Sequence, residues 1–309
     1  MPGRVGALTL LLSAAAWAVP TAQNPTLRDR RPFRSGIELT SLTATVRDNE
    51  GRLVTDLPRE AFEVYEDGER QVVTQFAHDR VPIGLGVLLD ISDSMFGQRI
   101  QDAREAVQHF LLELLDASDE YFIMAFNHQP HVLTRWTHDP EAVRRVLAGL
   151  RPSGGTAIYE SVLASLPLIR DRSRERAALL IISDGADTAS SSTLRDVRSA
   201  LMRTDAFVYA IAIDSQSRQA INTGVNPTTL RAITDDSGGR TEVVHGTADL
   251  PAATLRIAEE LNNQYVLGYT SPRGADGQYH SIRVKVQGEG YRVRARNGYV
   301  ALPIANSSR

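Results

Sequence analysis

The sequence predicts an α/β protein with a doubly wound, mostly parallel sheet, flanked by an N-terminal and a C-terminal β segment. Between residues 81 and 262, short apolar runs typical of buried strands alternate with amphipathic patterns typical of helices. This alternation implies parallel strands joined by right-handed crossovers. On either side, short alternating strands are separated by Gly, Asp and Asn turns. Neither flanking segment has the bulk to form a sandwich alone, so we hypothesise that both contribute to one core.

The chain divides into consecutive parts that differ in composition. Residues 1–22 resemble a secretory signal peptide, because Arg4 precedes an apolar run from Val5 to Val19 and small residues surround Ala18 and Ala22. That run is shorter than the ~20 apolar residues that span a membrane. The remaining predicted parts are a flexible leader at 23–36, the N-terminal β segment at 37–80, the α/β domain at 81–262, the C-terminal β segment at 263–302 and a tail at 303–309.

The composition excludes several classes of function. The 309 residues are 42% hydrophobic and 23% charged, and the formal net charge of −3 argues against nucleic acid as a partner. The chain has no cysteine, which excludes thiol catalysis, a cysteine-based zinc site and a lipid-bearing N-terminal cysteine. A signal peptide without a membrane span predicts a secreted or periplasmic protein that does not stay inserted in a membrane.

The most informative stretch runs from Val87 to Met95. An apolar strand ends at Asp90, Ser92 and Ser94 follow two residues apart, and a helical pattern then covers Gln98–Ala117. In open α/β folds, this order places the polar side chains at the carboxyl edge of the sheet, where ligands bind. One carboxylate and two hydroxyls are hard oxygen donors, which suit Mg²⁺ or Mn²⁺ rather than zinc.

The run Asp90-Ile91-Ser92-Asp93-Ser94 resembles the Asp-x-Ser-x-Ser signature of von Willebrand factor type A domains, which opens a metal-ion-dependent adhesion site in that family. The resemblance extends to Thr156, which follows two glycines, and to Asp184, which ends a predicted core strand and precedes Gly185. It implies that Mg²⁺ or Mn²⁺ is bound by five side chains, those of Asp90, Ser92, Ser94, Thr156 and Asp184.

Each of these residues also has a purely structural interpretation. Ser92 and Ser94 can cap the helix that follows them, and Thr156 can cap the next helix with Glu160 nearby. Asp184 can belong to an ordinary turn. Any one residue alone favours the structural interpretation, whereas all five in the family's order favour the metal.

The flanking β segments carry a narrower resemblance. The segments Phe62–Gly68, Tyr265–Tyr269 and Arg296–Tyr299 are similar to those of secreted bacterial proteins described as von Willebrand factor A-related. This similarity would extend over nearly the whole chain after the signal peptide. It implies no particular ligand.

The resemblance implies a non-enzymatic adhesion or protein-interaction module with no catalytic residue. Two carboxylates and three hydroxyls neutralise a divalent ion only in part, so a protein partner can offer it an acidic side chain. Asp93 departs from the small residue common in the family and leaves the ligand class open. One alternative is a metal-dependent phosphatase with Asp90 as nucleophile, although Ser92 stands where a second carboxylate is needed and Lys285 is the only lysine. The other is a scaffold that the metal only stabilises.

A basic stripe is predicted near the C-terminus. Arg292, Arg294 and Arg296 alternate with Val293 and Ala295 in a strand pattern, so the three arginines share one face. We interpret this face as a solvated outer surface. The alternative is a surface that receives an acidic partner.

Overall fold

In this computed structural model, the described residues are 39–184, 187–213 and 227–302, without the side chain of Thr247. The predicted signal peptide, leader and tail lie outside the described residues, as does Gly185. The predicted fold class is confirmed, because a six-stranded, mostly parallel sheet is accompanied by two four-stranded sheets built from the flanking segments. None of the described helices is long and apolar enough to cross a membrane.

The regular elements follow the predicted alternation. The strands are β1 (Leu39–Arg47), β2 (Phe62–Glu66), β3 (Glu69–Gln71), β4 (Val73–Ala77), β5 (Ile83–Asp90), β6 (Glu120–Phe126), β7 (Pro130–Thr137), β8 (Arg176–Ser183), β9 (Phe207–Ile213), β10 (Thr241–Val244), β11 (Tyr265–Thr270), β12 (Tyr279–Val286), β13 (Arg292–Ala295) and β14 (Gly298–Val300). The α-helices are α1 (Gln98–His109), α2 (Pro140–Gly149), α3 (Ile158–Arg170), α4 (Leu194–Leu201), α5 (Pro227–Ser237) and α6 (Leu250–Asn262). A π-helical turn, Phe110–Leu114, continues α1, so this helical segment ends before the predicted Ala117.

The central sheet has the strand order β10-β9-β8-β5-β6-β7, in which only β7 runs antiparallel to its neighbour. Strand β5 is buried along its whole length, because its apolar side chains point alternately to two helical layers. Leu85, Val87 and Leu89 pack in the core with α1, α2 and α6, whereas Leu88 packs in the core with α3, α4 and α5. The parallel strands β5 and β8 are neighbours, so their carboxyl ends meet at one edge.

The two flanking segments interleave in a β-sandwich. One sheet has the order β13-β1-β11-β4 and the other β14-β12-β2-β3. Strands from before and after the α/β domain alternate in the first sheet, and in the second they meet at the β12–β2 pair. Leu42 on β1 pairs with Leu267 on β11, and both belong to one apolar core that also contains Phe62 of β2 and Ile282 of β12. The shared core therefore matches our hypothesis. The exact boundaries of the segments, and whether either folds alone, stay predictions.

The interpretation of the basic stripe as a solvated face is wrong for two of its three arginines. Arg294 donates to the carboxylate of Glu260 and, through Nε, to the carbonyl of Gly238 at 3.1 Å. Arg296 donates through Nε to the carbonyl of Gly298 at 2.8 Å. Only Arg292 is exposed. Alternation identifies side chains that share a face, but the α/β domain packs on this face and covers it.

Glu260 on α6 joins the α/β domain to the sandwich. Its side chain is fully buried and accepts hydrogen bonds from the Tyr209 hydroxyl at 2.9 Å and from Arg47 Nη2 at 3.0 Å. Arg294 is a third donor, and Arg240 Nε lies 3.3 Å from Oε2. Because Arg47 belongs to β1 and Arg294 to β13, the carboxylate of Glu260 holds both strands against α6. A buried carboxylate without such partners is costly.

We predict that Glu260→Gln lowers the free energy of unfolding by about 3–5 kcal/mol, the usual cost of removing one partner of a buried ion pair. The measurement is urea unfolding at neutral pH. Glu259→Gln is the matched control, because Glu259 is the exposed neighbour on the same helix and its change should cost less than about 0.5 kcal/mol. Equal stability of the two variants would contradict the role of Glu260.

His280 makes the sandwich sensitive to pH. Its ring is buried on β12, with Nδ1 2.8 Å from Asp67 Oδ2 and Nε2 3.1 Å from Asp276 Oδ1. The hydrogen bond with Asp67 raises the pKa of His280 above its ordinary value, and burial opposes this only in part. The same bond lowers the pKa of Asp67. The charged imidazolium is therefore favoured in the folded state.

The raised pKa sets the direction of a pH effect. Protonation of His280 stabilises the fold fully below the unfolded pKa of ~6.5, and this stabilisation is lost as pH rises through the higher folded pKa. We expect His280→Gln to be less stable than wild type by about 1 kcal/mol at pH 5.5, with the difference shrinking towards pH 9, in urea unfolding. His128→Gln, at an exposed histidine, is the control. A difference that grows with pH would exclude this assignment.

Candidate metal site at the carboxyl edge of the sheet

Two buried carboxylates meet where β5 and β8 end. Asp90 is the last residue of β5 and is fully buried, and Asp184 directly follows β8 with 2% exposure. Asp90 Oδ1 accepts from the Ser92 backbone N–H at 2.8 Å, and Oδ2 accepts from Ser183 Oγ at 2.5 Å. The register of β5 with β8 thus brings together two acidic residues that are 94 positions apart in sequence.

The serine hydroxyls connect the two carboxylates. Ser92 Oγ and Ser94 Oγ are 3.0 Å apart, and Ser94 Oγ donates to Asp184 Oδ1 at 2.6 Å. Ser92 is buried and follows Asp90 in the loop that leads to α1. Four of the five predicted side chains, those of Asp90, Ser92, Ser94 and Asp184, therefore belong to one hydrogen-bonded cluster.

Thr156 is held between the two loops that carry these residues. Its carbonyl accepts from the Thr188 N–H at 2.8 Å, and its N–H donates to Thr188 Oγ1 at 3.0 Å. The Gly154 carbonyl accepts from the Asp93 N–H at 2.9 Å, so the glycine loop also touches the serine loop. Thr156 is buried at 4% exposure. Within the described residues, its hydroxyl makes no hydrogen bond to the other four predicted ligands.

The helix-capping interpretations of these residues are wrong. The N-cap of α1 is Gly97, which has a φ of +83° and provides no side chain, so Ser92 and Ser94 do not cap that helix. The N-cap of α3 is Ala157, not Thr156, and it makes no side-chain cap bond. The hydroxyls of the cluster are thus available to a ligand at the sheet edge.

Burial shapes the electrostatics of the pair. Burial raises the pKa of Asp90 to about 6, and the repulsion from Asp184 adds to this while hydrogen bonds from Ser183 and Ser92 oppose it. Burial also raises the pKa of Asp184, against the opposing effects of Ser94 and Arg99. Both carboxylates have lost water without gaining an equal positive charge, which is a situation that a bound cation relieves.

Three residues at the site were missed in the sequence. Ser183 precedes Asp184 at the strand end, so its position offered a signal. Phe96 directly follows the Asp-x-Ser-x-Ser stretch and Met95, and its position offered a second signal; its ring is 78% exposed. Arg99 donates to Asp184 Oδ2 at 3.0 Å and to the Ser94 carbonyl at 2.5 Å, and this contact depends on how α1 packs, so no local pattern reveals it.

The donor chemistry fits a hard divalent cation. The cluster offers carboxylate and hydroxyl oxygens, with no nitrogen or sulfur ligand, as Mg²⁺ and Mn²⁺ prefer. In the part of the chain that the structure describes, this edge included, no group of three or more His, Asp or Glu side chains is arranged to hold a metal. The candidate site therefore depends on two carboxylates together with the hydroxyls around them.

The fold and this cluster define an α/β domain with a candidate cation site at the carboxyl edge of its sheet. A sequence model described as the von Willebrand factor type A domain matches residues 85–186, which include β5, β8 and all five predicted ligands. Residues 85–186 therefore match the von Willebrand factor type A domain, as the sequence resemblance predicted.

The curated relatives are long proteins that share this region. Inter-alpha-trypsin inhibitor heavy chain H2 of Sus scrofa is 22% identical over 247 residues, covering 72% of this chain and 25% of the relative. The human heavy chain H4 is 21% identical over 214 residues, which cover 63% of this chain and 22% of the relative. An uncharacterised protein of Synechocystis sp. is 27% identical over 112 residues, which cover 35% of this chain and 26% of the relative. The matched region spans about a quarter of these relatives. The family and its relatives support a protein-interaction module.

Solved structures show the same fold. A von Willebrand factor type A protein from Catenulispora acidiphila has a TM-score of 0.52 at 13% identity and covers 88% of this chain and 76% of its own. That coverage exceeds the central domain, so the likeness includes flanking strands. Proximal thread matrix protein 1 from the mussel byssus has a TM-score of 0.52 at 11% identity, and it covers 62% of this chain and 48% of its own. Its structure has a zinc-occupied metal-ion-dependent adhesion site.

Proposed function

We propose that the α/β domain is a metal-dependent adhesion module, which binds an acidic side chain of a partner protein. The cation, Mg²⁺ or Mn²⁺, would be held by Asp90, Ser92, Ser94, Thr156 and Asp184. The observation that carries this proposal is the pair of buried carboxylates at the ends of β5 and β8. Ser92 and Ser94 connect them, and among the described residues the guanidinium of Arg99 is the cation that contacts them. When bound, the ion would supply the positive charge that attracts the partner's carboxylate.

The oxygen-only donor set supports Mg²⁺ or Mn²⁺ over zinc. Zinc in proteins favours imidazole and thiolate ligands, whereas hard cations favour carboxylates, hydroxyls and water. The zinc-occupied site is a property of the mussel protein, whose likeness to this chain is in the fold. We therefore propose that any zinc bound here is a substitute for a harder ion.

Phe96 and Arg99 give the site a contact surface of its own. Phe96 lies two residues after Ser94, so the two Cα atoms are at most about 7.6 Å apart, and its ring is 78% exposed. Exposed aromatic residues beside a polar anchor are frequent binding hot spots. Arg99 reaches Asp184 and has a partly exposed side chain, so it can also donate to an incoming carboxylate. We propose a partner segment with an acidic residue beside an apolar one.

The phosphatase alternative is disfavoured by the position of the only lysine. Lys285 lies on β12 of the sandwich, with Nζ 5.3 Å from the centre of the Tyr65 ring, and not at the sheet edge that carries Asp90. Ser92 occupies the position where the second carboxylate is needed. We propose no enzymatic activity. Secretion or periplasmic export remains a proposal that depends on the signal-like residues 1–22.

We predict that Asp90→Asn weakens Mg²⁺ binding at least tenfold, because half of the buried negative charge is removed from the site. Isothermal titration calorimetry with MgCl₂ measures it, and far-UV circular dichroism checks that the fold persists. Glu105→Gln is the control, because Glu105 is an exposed carboxylate on α1. Absence of Mg²⁺ and Mn²⁺ binding by wild type at millimolar concentration would refute the proposed function.

Arg99→Gln should raise the affinity for Mg²⁺ about two- to fivefold, because the guanidinium no longer competes with the ion for Asp184. This factor corresponds to an ion pair worth up to about 1 kcal/mol, as expected for a partly exposed arginine. The same titration measures it. Arg195→Gln, at an exposed arginine on α4, should leave the affinity unchanged. A weaker affinity in Arg99→Gln would show that Arg99 supports the ion instead.

Partner capture distinguishes the adhesion module from the scaffold and the phosphatase. Native envelope extract is passed over immobilised wild type, Asp90→Asn and Glu105→Gln, with MgCl₂ or EDTA. The adhesion module should retain a protein on wild type and Glu105→Gln in Mg²⁺ only. Retention that is unchanged by EDTA and by Asp90→Asn would count against the adhesion module. Hydrolysis of p-nitrophenyl phosphate that Asp90→Asn abolishes would favour the phosphatase.

A further inference from the structure

A cavity of about 310 Å³ lies between the α/β domain and the sandwich. Its lining comes from the end of α3, from the segment between α4 and β9, and from β1 and β14. The segment before β9 lies at the amino edge of the parallel sheet, whereas Asp184 follows the carboxyl end of the neighbouring β8. The cavity is therefore at the opposite edge from the metal site, about 20 Å away along the strands.

Most of the lining is apolar. Six large apolar side chains from both parts of the molecule contribute to it, those of Leu39, Leu42, Ile169, Met202, Val300 and Leu302. Cavities of roughly 300–1,000 Å³ between packed units are typical of small-molecule sites. A fully hydrated ion would lose its water against such walls, so the apolar lining favours a ligand with a hydrocarbon part.

Arg296 is a partly buried cation in the lining, and no ion pair with another described residue balances its charge. Arg296 Nε donates to the Gly298 carbonyl at 2.8 Å, Nη2 lies 3.4 Å from the Met202 carbonyl, and the guanidinium lies over the Tyr299 ring at 5.8 Å. Among the described residues, no carboxylate is within ion-pair distance of Arg296. The acid in the lining, Asp205, is already paired with Arg172.

The burial of Arg296 and the arginines near it both favour the binding of an anion in the cavity. Burial lowers the pKa of Arg296, and the charge of Asp205, which is paired with Arg172, opposes this only in part. Arg170 and Arg203 add positive charge at the exposed parts of the lining. A half-buried arginine is normally paired, and its fork-shaped donors match a carboxylate.

We propose that this cavity binds a small monocarboxylate with a short apolar tail, whose carboxylate pairs with Arg296 and whose tail packs on the apolar lining. A singly charged carboxylate suits the site better than a phosphate, because two of the three guanidinium nitrogens already donate to carbonyls. Since both the α/β domain and the sandwich line the cavity, a bound ligand also stabilises their junction.

Hexanoate is the probe for the test, with hexan-1-ol as its neutral analogue and inorganic phosphate as a hydrophilic anion. Calorimetry on the full chain should give a Kd of about 1–10 mM for hexanoate, as expected for eight non-hydrogen atoms, and at least tenfold weaker binding of the other two. The melting temperature should rise with hexanoate. No saturable binding of hexanoate, or tighter binding of phosphate, would overturn the proposal.

Two variants assign the binding to this cavity. Arg296→Gln should weaken the binding of hexanoate at least tenfold, whereas Arg292→Gln, at the exposed arginine four residues earlier, should leave the affinity unchanged. Leu302→Trp narrows the cavity at a side chain that is 42% exposed, so it should weaken binding without unfolding the protein, even where Arg296→Gln fails to fold. Unchanged affinity in Leu302→Trp, or in a folded Arg296→Gln, would reject the site.

Discussion

The repulsion between Asp90 and Asp184 is the constraint on which the candidate site depends. The apolar strands β5 and β8 are buried because their side chains fill two helical layers, and this burial carries the acidic residues at their ends out of water. The sheet thus forces two like charges together, at a cost that hydrogen bonds from Ser183, Ser92 and Ser94 reduce but do not remove. Binding of a divalent cation would neutralise this repulsion directly.

Other buried carboxylates in the chain show what full compensation requires. Glu260 is surrounded by three arginines and a tyrosine hydroxyl. Asp119, with 2% exposure, accepts from Arg80 and from two backbone N–H groups. Among the described residues, Asp90 and Asp184 together have Arg99 and neutral hydroxyls as side-chain partners. The first two groups hold parts of the structure together, whereas the last pair retains a deficit of positive charge that a ligand can satisfy.

Sequence reasoning succeeded where a local pattern decides the structure. The alternation of apolar runs and helical patterns predicted the class of fold correctly. Strand ends followed by Asp, Ser and Thr suggested five ligands, of which four lie in one cluster, and their role as ligands stays a prediction. It failed where packing decides. The stripe of Arg294 and Arg296 has the pattern of a solvated strand, yet α6 and the end of α4 supply its partners.

Arg99 shows the same limit at the site itself. Its contact with Asp184 depends on the turn at Gly97, whose positive φ redirects the chain into α1, and on the packing of α1 against the sheet. A propensity argument can place a helix start within a few residues. It does not reveal which charge of the first turn will face a strand end from another part of the chain.

The α/β domain is inserted into the sandwich by its chain path, and the candidate metal site lies at the edge of the sheet away from the described sandwich strands. The chain enters the domain at Ile83, the start of β5, and leaves it after α6, and both points adjoin strands of the sandwich. Since α6 returns against the direction of the parallel strands, entry and exit lie at the amino edge of the sheet. The sandwich docks at that edge, where Arg176 on β8 donates to the Val81 and Leu261 carbonyls, both at 3.0 Å. Among the described residues, the opposite edge, with Asp90, Asp184 and the exposed Phe96, is therefore the edge away from the sandwich, so the proposed binding of a partner there would not require the two parts to separate.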